Sequence, residues 1–378
     1  MSDPSRSTPL VPPIFTSAVY TLPDLDALEA IYAGTAPGFI YARDGHPNGT
    51  ELAQRLNPRE SASWGIVTGS GMGATSAAVL ALTSVGDRIV MSDRLYGRTT
   101  RLLGHELPRY GVRVATFDAN DPENLRAILQ QEPARMVYVE TIANPLVQVA
   151  DLPTLAEIAH ESGSRLVVDN TFATPVLCRP LELGADLVVE SLTKLIGGHS
   201  DVTLGYLGGT DPSLAPRVGS LVSTWGLAPH PFECWLVQRG METLDLRVRA
   251  ACQTAAQLAD WLAEQPGIAR VVYPGRSDHP DHALAGRMLD GGYGNMLCFE
   301  LPGGRDAVNR FMRAAPGIPF SPSLGHTSTT CSHPASTSHR HEDPAERARL
   351  GITEGLIRLS VGCEPFETAR AAIQPGLL

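Results

Sequence analysis

Short apolar runs recur between residues 49 and 242, and helical patterns fill the gaps between them. The runs are Gly65–Thr68, Arg88–Met91, Val112–Phe117, Met136–Glu140, Arg165–Asp169 and Leu187–Glu190. Runs of this length, separated by helix-sized crossovers, restrict this part of the chain to a largely parallel sheet covered on both faces. Almost every run closes on a polar or acidic residue. In open α/β sheets ligands bind outside the carboxyl ends of the strands, so those ends are where a site is to be sought.

The flanking segments read differently. Residues 1–48 are rich in Pro, Gly and Ser and carry one amphipathic stretch, Leu25–Ala33, as expected of an arm that wraps something else. Beyond Gly240 a helical pattern, Leu244–Glu264, leads to an antiparallel pair, Asn295–Leu301 and Leu356–Gly362, with a helix at Arg305–Arg313. Three units are therefore expected: an arm (1–48), an α/β domain (49–242) and a smaller α+β domain (243–378).

Among 30 basic residues the chain has a single lysine, Lys194, in Glu190-Ser-Leu-Thr-Lys-Leu-Ile-Gly-Gly-His. Arginine stays charged, whereas an amine can lose its proton and attack a carbonyl, so a lone lysine in this setting points to a nucleophile. A surface lysine left by codon bias is the bland alternative; the hydroxyls before Lys194 and the apolar run leading in weigh against it. Asp169 closes another run, one crossover and one strand upstream, so both side chains can meet at the carboxyl edge of the sheet. Pyridoxal phosphate needs such a pair: a lysine to hold its aldehyde and an acid beside its ring nitrogen. Taken alone, Asp169 would read as a turn or helix cap.

Thr68-Gly-Ser-Gly-Met-Gly-Ala74 follows a strand and opens a helix expected over Thr75–Thr83, a ready anion site. Gly69, Gly71 and Ala74 also satisfy the dinucleotide-binding pattern, with Asp93 ending the next strand about 20 residues on. A nicotinamide or flavin oxidoreductase is thus an alternative, but it leaves Lys194 and Asp169 without roles.

Several ordered motifs carry a family likeness. Asp169-Asn-Thr-Phe-Ala-Thr-Pro, Ser191-Leu-Thr-Lys194, Gly198-His-Ser-Asp-Val202, Glu140-Thr-Ile-Ala-Asn-Pro145 and Gly355-Leu-Ile-Arg-Leu-Ser-Val-Gly362 resemble the Cys/Met-metabolism family of pyridoxal-phosphate enzymes. That family includes cystathionine γ-synthases, cystathionine γ-lyases and methionine γ-lyases. The resemblance spans nearly the whole chain. It implies a fold-type I α/β transferase with a mostly parallel seven-stranded sheet and a smaller C-terminal α+β domain. Lys194 would hold the cofactor and move the substrate's α-proton, with Tyr96 stacked on the ring as a second catalytic group. Gly71, Met72, Asn144, Asp169, Thr171, Ser191 and Thr193 would bind the cofactor, joined by Tyr41 and Arg43 from a neighbouring subunit of a dimer of dimers. Arg358, Ser323, Asn144 and Arg101 would bind the substrate.

The implied reaction is γ- or β-elimination or replacement on a sulfur-containing or O-acylated amino acid, a C–S lyase first and a synthase or sulfhydrylase second. The chain departs from the family pattern at Ile40, His46, Arg98 and His326-Thr-Ser328, which removes two acidic residues that would meet the distal amino group of cystathionine. A protein that kept the cofactor pocket but lost catalysis is a further alternative.

Other classes are disfavoured. A net charge of -10 without a basic block argues against nucleic-acid binding. Six scattered cysteines suggest free thiols in a reducing cytoplasm, and the chain shows neither a signal core nor an apolar run of ~18 residues. His326, Cys331, His333, His339, His341, Glu342 and Asp343 crowd one stretch, but their spacing fits no common zinc pattern, so no metal is expected.

Overall fold

The computed structural model describes residues 9–377. The larger of two sheets contains β1 (Trp64–Thr68), β2 (Arg88–Ser92), β3 (Arg113–Phe117), β4 (Met136–Glu140), β5 (Arg165–Asp169), β6 (Leu187–Ser191) and β7 (Gly205–Gly209), in the order β1-β7-β6-β5-β4-β2-β3. Strands β6, β5, β4, β2 and β3 run parallel, whereas β7 is antiparallel to both β1 and β6. Six strands coincide with the apolar runs. Strand β7 is the seventh strand that the family resemblance implies; it is absent from the apolar runs because three of its five residues are glycine. Its glycines answer to crowding: a Cβ at Gly205 would strike the Ser70 carbonyl, and one at Gly209 would sit 2.6 Å from Leu187 Cδ2.

Both faces of this sheet are buried, and alternate residues explain how. Met136, Tyr138, Val167, Leu187 and Val189 pack into one hydrophobic cluster, while Val137, Val139, Leu166, Val168 and Val188 pack into the other. That is why the strands read as continuous apolar runs instead of alternating ones.

The helix after β1 spans Gly71–Leu82, beginning four residues before the expected start at Thr75. Ser70 caps it by accepting a hydrogen bond from Gly73 N (3.0 Å). The expected arm boundary at residue 48 falls inside a helix, Pro47–Glu60, whose N-cap is the buried His46. Before it, a short pairing of Val19 with Tyr41 leaves Tyr41 and Arg43 exposed.

The second sheet holds β8 (Arg270–Val272), β9 (Met296–Glu300), β10 (Thr330–Ser332) and β11 (Leu356–Ser360), all antiparallel in the order β10-β11-β9-β8. Strands β8 and β10 are three residues each, too short to leave a periodic signal. Leu297, Phe299, Ile357 and Leu359 turn into a core shared with the helix Leu244–Ala263. Strand alternation then puts Arg358 on the opposite face.

Candidate active site

A cavity of about 890 Å³ opens along the carboxyl ends of β4, β5 and β6 and is closed from the far side by β11 and its neighbouring loops. Of the residues singled out in the sequence, Gly71, Met72, Tyr96, Arg101, Asn144, Asp169, Thr171, Ser191, Thr193, Lys194, Ser323 and Arg358 all line it. Tyr41 and Arg43 do not; their side chains stack on each other, with the guanidinium 5.2 Å from the Tyr41 ring centroid.

Lys194 lies in the turn after β6 and donates from Nζ to Ser323 Oγ (2.9 Å). Burial lowers its pKa, and the nearby Arg358 charge lowers it further. The turn is held from behind by Arg247, whose guanidinium donates to the carbonyls of Leu195 (2.7 Å), Ile196 (3.2 Å) and Gly240 (2.8 Å). Arg358 donates to Asn144 Oδ1 (2.6 Å) and to the Ser323 carbonyl (3.1 Å), while its Nε is buried without a partner. One guanidinium edge is thereby fixed by two loops, one after β4 and one before β10.

Asp169 accepts from Thr171 N (3.0 Å), and Thr171 Oγ1 in turn accepts from Ser191 N (2.9 Å), tying β5 to β6. Burial raises the pKa of Asp169. Beside it in register stands Glu140, a residue to which the sequence reading gave no role. Its two carboxyl oxygens accept from the backbone N–H groups of Tyr96 and Asn144, so one side chain sets the position of both. Burial, reinforced by the charge of Asp169, raises the Glu140 pKa, while the two N–H donors favour the ionised form and lower it. The acidic strand ending was visible in the sequence; the reach of Glu140 to Tyr96 was not.

At the other strand, the first-turn amides of the Gly71–Leu82 helix have no intrahelical partners. Gly73 N is taken by Ser70, which leaves Gly71 and Met72 at the cavity wall. A Cβ at Gly71 would lie 2.8 Å from Ser191 Cβ, so glycine is required for this close approach.

The comparisons decide the class. The model of the Cys/Met metabolism PLP-dependent enzymes matches residues 2–377. The chain belongs to that family. It is 38% identical to an O-succinylhomoserine sulfhydrylase of Pseudomonas aeruginosa, over 96% of this chain and 90% of the relative. It is 39% identical to an L-methionine gamma-lyase of Pseudomonas putida, over 97% and 92%. The crystal structure of cystathionine gamma synthase from Xanthomonas oryzae pv. oryzae superposes with a TM-score of 0.92 at 35% identity, covering 97% of this chain and 92% of that one. The fold is accordingly fold-type I and the cofactor is pyridoxal phosphate.

The residues present fit that cofactor. A half-buried amine of lowered pKa, a carboxylate at the cavity floor with a single amide donor, and two free helix-terminal amides match an aldehyde, a ring nitrogen and a phosphate respectively. The dinucleotide alternative loses its geometry. Asp93 does not line the cavity and is engaged elsewhere, by Ala119 N (3.2 Å) and Arg349 (3.1 Å).

The histidine-rich stretch disperses into structural contacts. His333 bonds Ser336 Oγ (2.8 Å) and the Glu354 carbonyl (3.1 Å), His339 bonds Ser338 Oγ (2.9 Å), and His326 reaches Ser200 Oγ (3.2 Å). Among the described residues, no three His, Cys, Asp or Glu side chains converge as metal ligands, and no helix is long and apolar enough to cross a membrane. Neither Ile40 nor His326 lines the cavity of its own chain, whereas Arg98 does.

Proposed function

We propose that this enzyme removes the γ-substituent of an L-amino acid of the homocysteine or homoserine kind, releasing a keto acid and ammonia as a C–S lyase does. Replacement of that substituent by a thiol is the second reading, favoured by the likeness to an O-succinylhomoserine sulfhydrylase. The observation that carries the proposal is the convergence of Lys194 Nζ, Ser323 and Arg358 at one end of the cavity.

What pyridoxal phosphate supplies when bound is an aldehyde that condenses with an amine and a ring that stabilises negative charge at the α-carbon. Asp169 would hold the ring nitrogen, Tyr96 would lie on the ring face, and Asn144 would meet the ring hydroxyl. Gly71, Met72, Thr171, Ser191 and Thr193 would take the phosphate side. Arg358 would clamp the substrate carboxylate by its planar fork, which Asn144 and Ser323 already orient. Lys194 would then take the α-proton at Nζ, a task suited to an amine whose pKa burial has lowered. Arg101, paired with Glu106 at 3.8 Å, would border the substrate at the mouth.

The exposed arm supports an intersubunit site. Tyr41 and Arg43 stand clear of their own cavity, and Leu10, Val11, Phe15 and Val19 expose apolar surface beside them. A dimer of dimers in which each arm completes a neighbour's phosphate site would cover that surface. Six free thiols, five of them buried, fit a cytoplasmic setting.

The test is the visible spectrum of the holoenzyme with homoserine, O-acetylhomoserine, methionine, cystathionine and cysteine added in turn, with released keto acid, ammonia and thiol assayed. A four-carbon keto acid from a γ-substituted substrate is the expected product. Pyruvate from cysteine alone would replace γ-elimination with β-elimination, and no product from any of them would remove the lyase reading.

A further inference from the structure

Asn144 sits near the tip of a hairpin, residues 141–150, that follows β4. Ile142 pairs with Val149, Ala143 N donates to the Gln148 carbonyl (2.8 Å), and Ala150 N donates to the Thr141 carbonyl (3.1 Å). The hairpin is buried almost throughout, and Val147 within it takes a φ of +52°. A β-branched residue rarely enters that left-handed region, and such strain persists only where surrounding contacts over-determine the backbone.

Those contacts come from in or beside the second sheet. Arg358 on β11 holds the Asn144 side chain. Cys298, opposite Arg358 on β9, donates from Sγ to the Pro145 carbonyl (3.1 Å). Burial pushes that thiol up to about 12, so it keeps the proton it donates. Asp281, between β8 and β9, accepts at Oδ2 from Val149 N (3.0 Å). The tip of the hairpin and its base are therefore gripped separately.

Asp281 is the least expected of the three. It stands at the N-cap of the helix His282–Met288, where an aspartate ordinarily accepts from an amide of the first turn. No such bond forms here. Its backbone is fixed on both sides all the same: Asp281 N donates to His279 Nδ1 (3.1 Å), and its carbonyl accepts from Ala285 N (2.7 Å). A residue placed to cap its own helix is thus aimed at a hairpin some 130 residues earlier in the chain. Neither Asp281 nor Val149 lines the cavity, so any effect on the site passes through the hairpin. A carboxylate suits the task, because a hydrogen bond with one charged partner is stronger than a neutral one.

We infer that Asp281 is a positioning residue for the active site: by holding Val149 it fixes the hairpin that presents Asn144 to the cofactor ring and to Arg358. This rests on the roles proposed above for Asn144 and Arg358.

The test uses the holoenzymes of the wild type, Asp281→Ala, Asp281→Ser, Asp281→Asn and Asn144→Ala. Each is titrated with L-norleucine and with pentylamine, which is the same chain without the carboxylate. Neither ligand carries a γ-leaving group, and binding is read from the visible band of the bound cofactor. Asp281→Ala should weaken norleucine about tenfold, the low end for loss of a hydrogen bond to a charged group, and leave pentylamine within about twofold. Asp281→Ser, a cap residue too short to reach Val149, should do the same, and it carries the test if the alanine variant does not fold. Asp281→Asn keeps an acceptor oxygen and should recover most of the loss. Wild-type affinity for norleucine in the alanine and serine variants, an equal loss for both ligands, or a loss that Asp281→Asn leaves uncorrected would overturn the positioning role. Norleucine weakened in Asn144→Ala but not at position 281 would remove Asp281 alone. No change in Asn144→Ala would remove the role of Asn144 and this inference with it.

Discussion

Behind the cavity, Glu60 at the end of the Pro47–Glu60 helix and Glu190 on β6 are both 0% exposed, and all four of their carboxyl oxygens lack a donor among the described residues. The two carboxyls face each other, with the Asn170 amide near Glu190, and a hydrogen bond between two carboxyls requires a proton between them. Burial raises both, Glu190 the further of the two, and Glu60 is pushed from 4.5 to about 7. A raised carboxyl stabilises the fold fully below its unfolded pKa, and that stability is lost as pH rises through the folded value. A rise of that size corresponds to about 3 kcal/mol, most of it lost between pH 5 and pH 8. Glu60→Gln keeps the shape, stays neutral and can donate to Glu190. For a chain of this length the unfolding entropy is about 0.8 kcal/mol/K, so the melting temperature of Glu60→Gln relative to wild type should rise by about 3 °C from pH 5 to pH 8. The assay is differential scanning calorimetry of both proteins at matched concentration and cofactor saturation across that range. Titrating groups outside the Glu60–Glu190 pair are common to the two and cancel in the difference. Parallel curves, or a difference that shrinks toward pH 8, would refute the shared proton.

Three more expectations concern the site itself. Lys194→Ala should abolish covalent attachment of the cofactor, seen as no borohydride-reducible adduct by mass spectrometry; a full adduct would sink the assignment. Arg43→Ala should weaken cofactor retention by about tenfold by equilibrium dialysis if the arm reaches a neighbour's phosphate, and unchanged retention in a proven monomer would remove the intersubunit site. Glu140→Gln sets an amide group against one of two backbone N–H donors, so one of Tyr96 or Asn144 should loosen. The expected cost is about 1–2 kcal/mol of cofactor affinity, measured by the same dialysis, and wild-type affinity would show that Glu140 positions neither.

How much was legible beforehand depended on the range of the interaction. Six strands of the large sheet were visible because a strand buried on both faces must be continuously apolar, and their acidic or polar endings marked where ligands gather. Lys194 stood out by composition, and Asp169 by its place at a run's end. Strand β7, implied by the family resemblance only as a seventh strand, left no apolar run because its glycines serve contacts with Ser70 and Leu187. The early start of the Gly71–Leu82 helix escaped because Ser70, and not the helical periodicity, defines its first turn.

Sequence alone therefore determined six strands of the large sheet, the edge at which ligands are to be sought, a candidate nucleophile in Lys194 and the family, since each is written in short-range pattern or in ordered motifs. Tertiary structure alone decided that Glu140 positions both Tyr96 and Asn144, that Arg247 braces the lysine turn, and that Glu60 meets Glu190. The partners in each case come from elements far apart in the chain. Burial, charge and hydrogen bonding act through space, and no pattern along the chain records which distant groups packing will bring within a few ångströms.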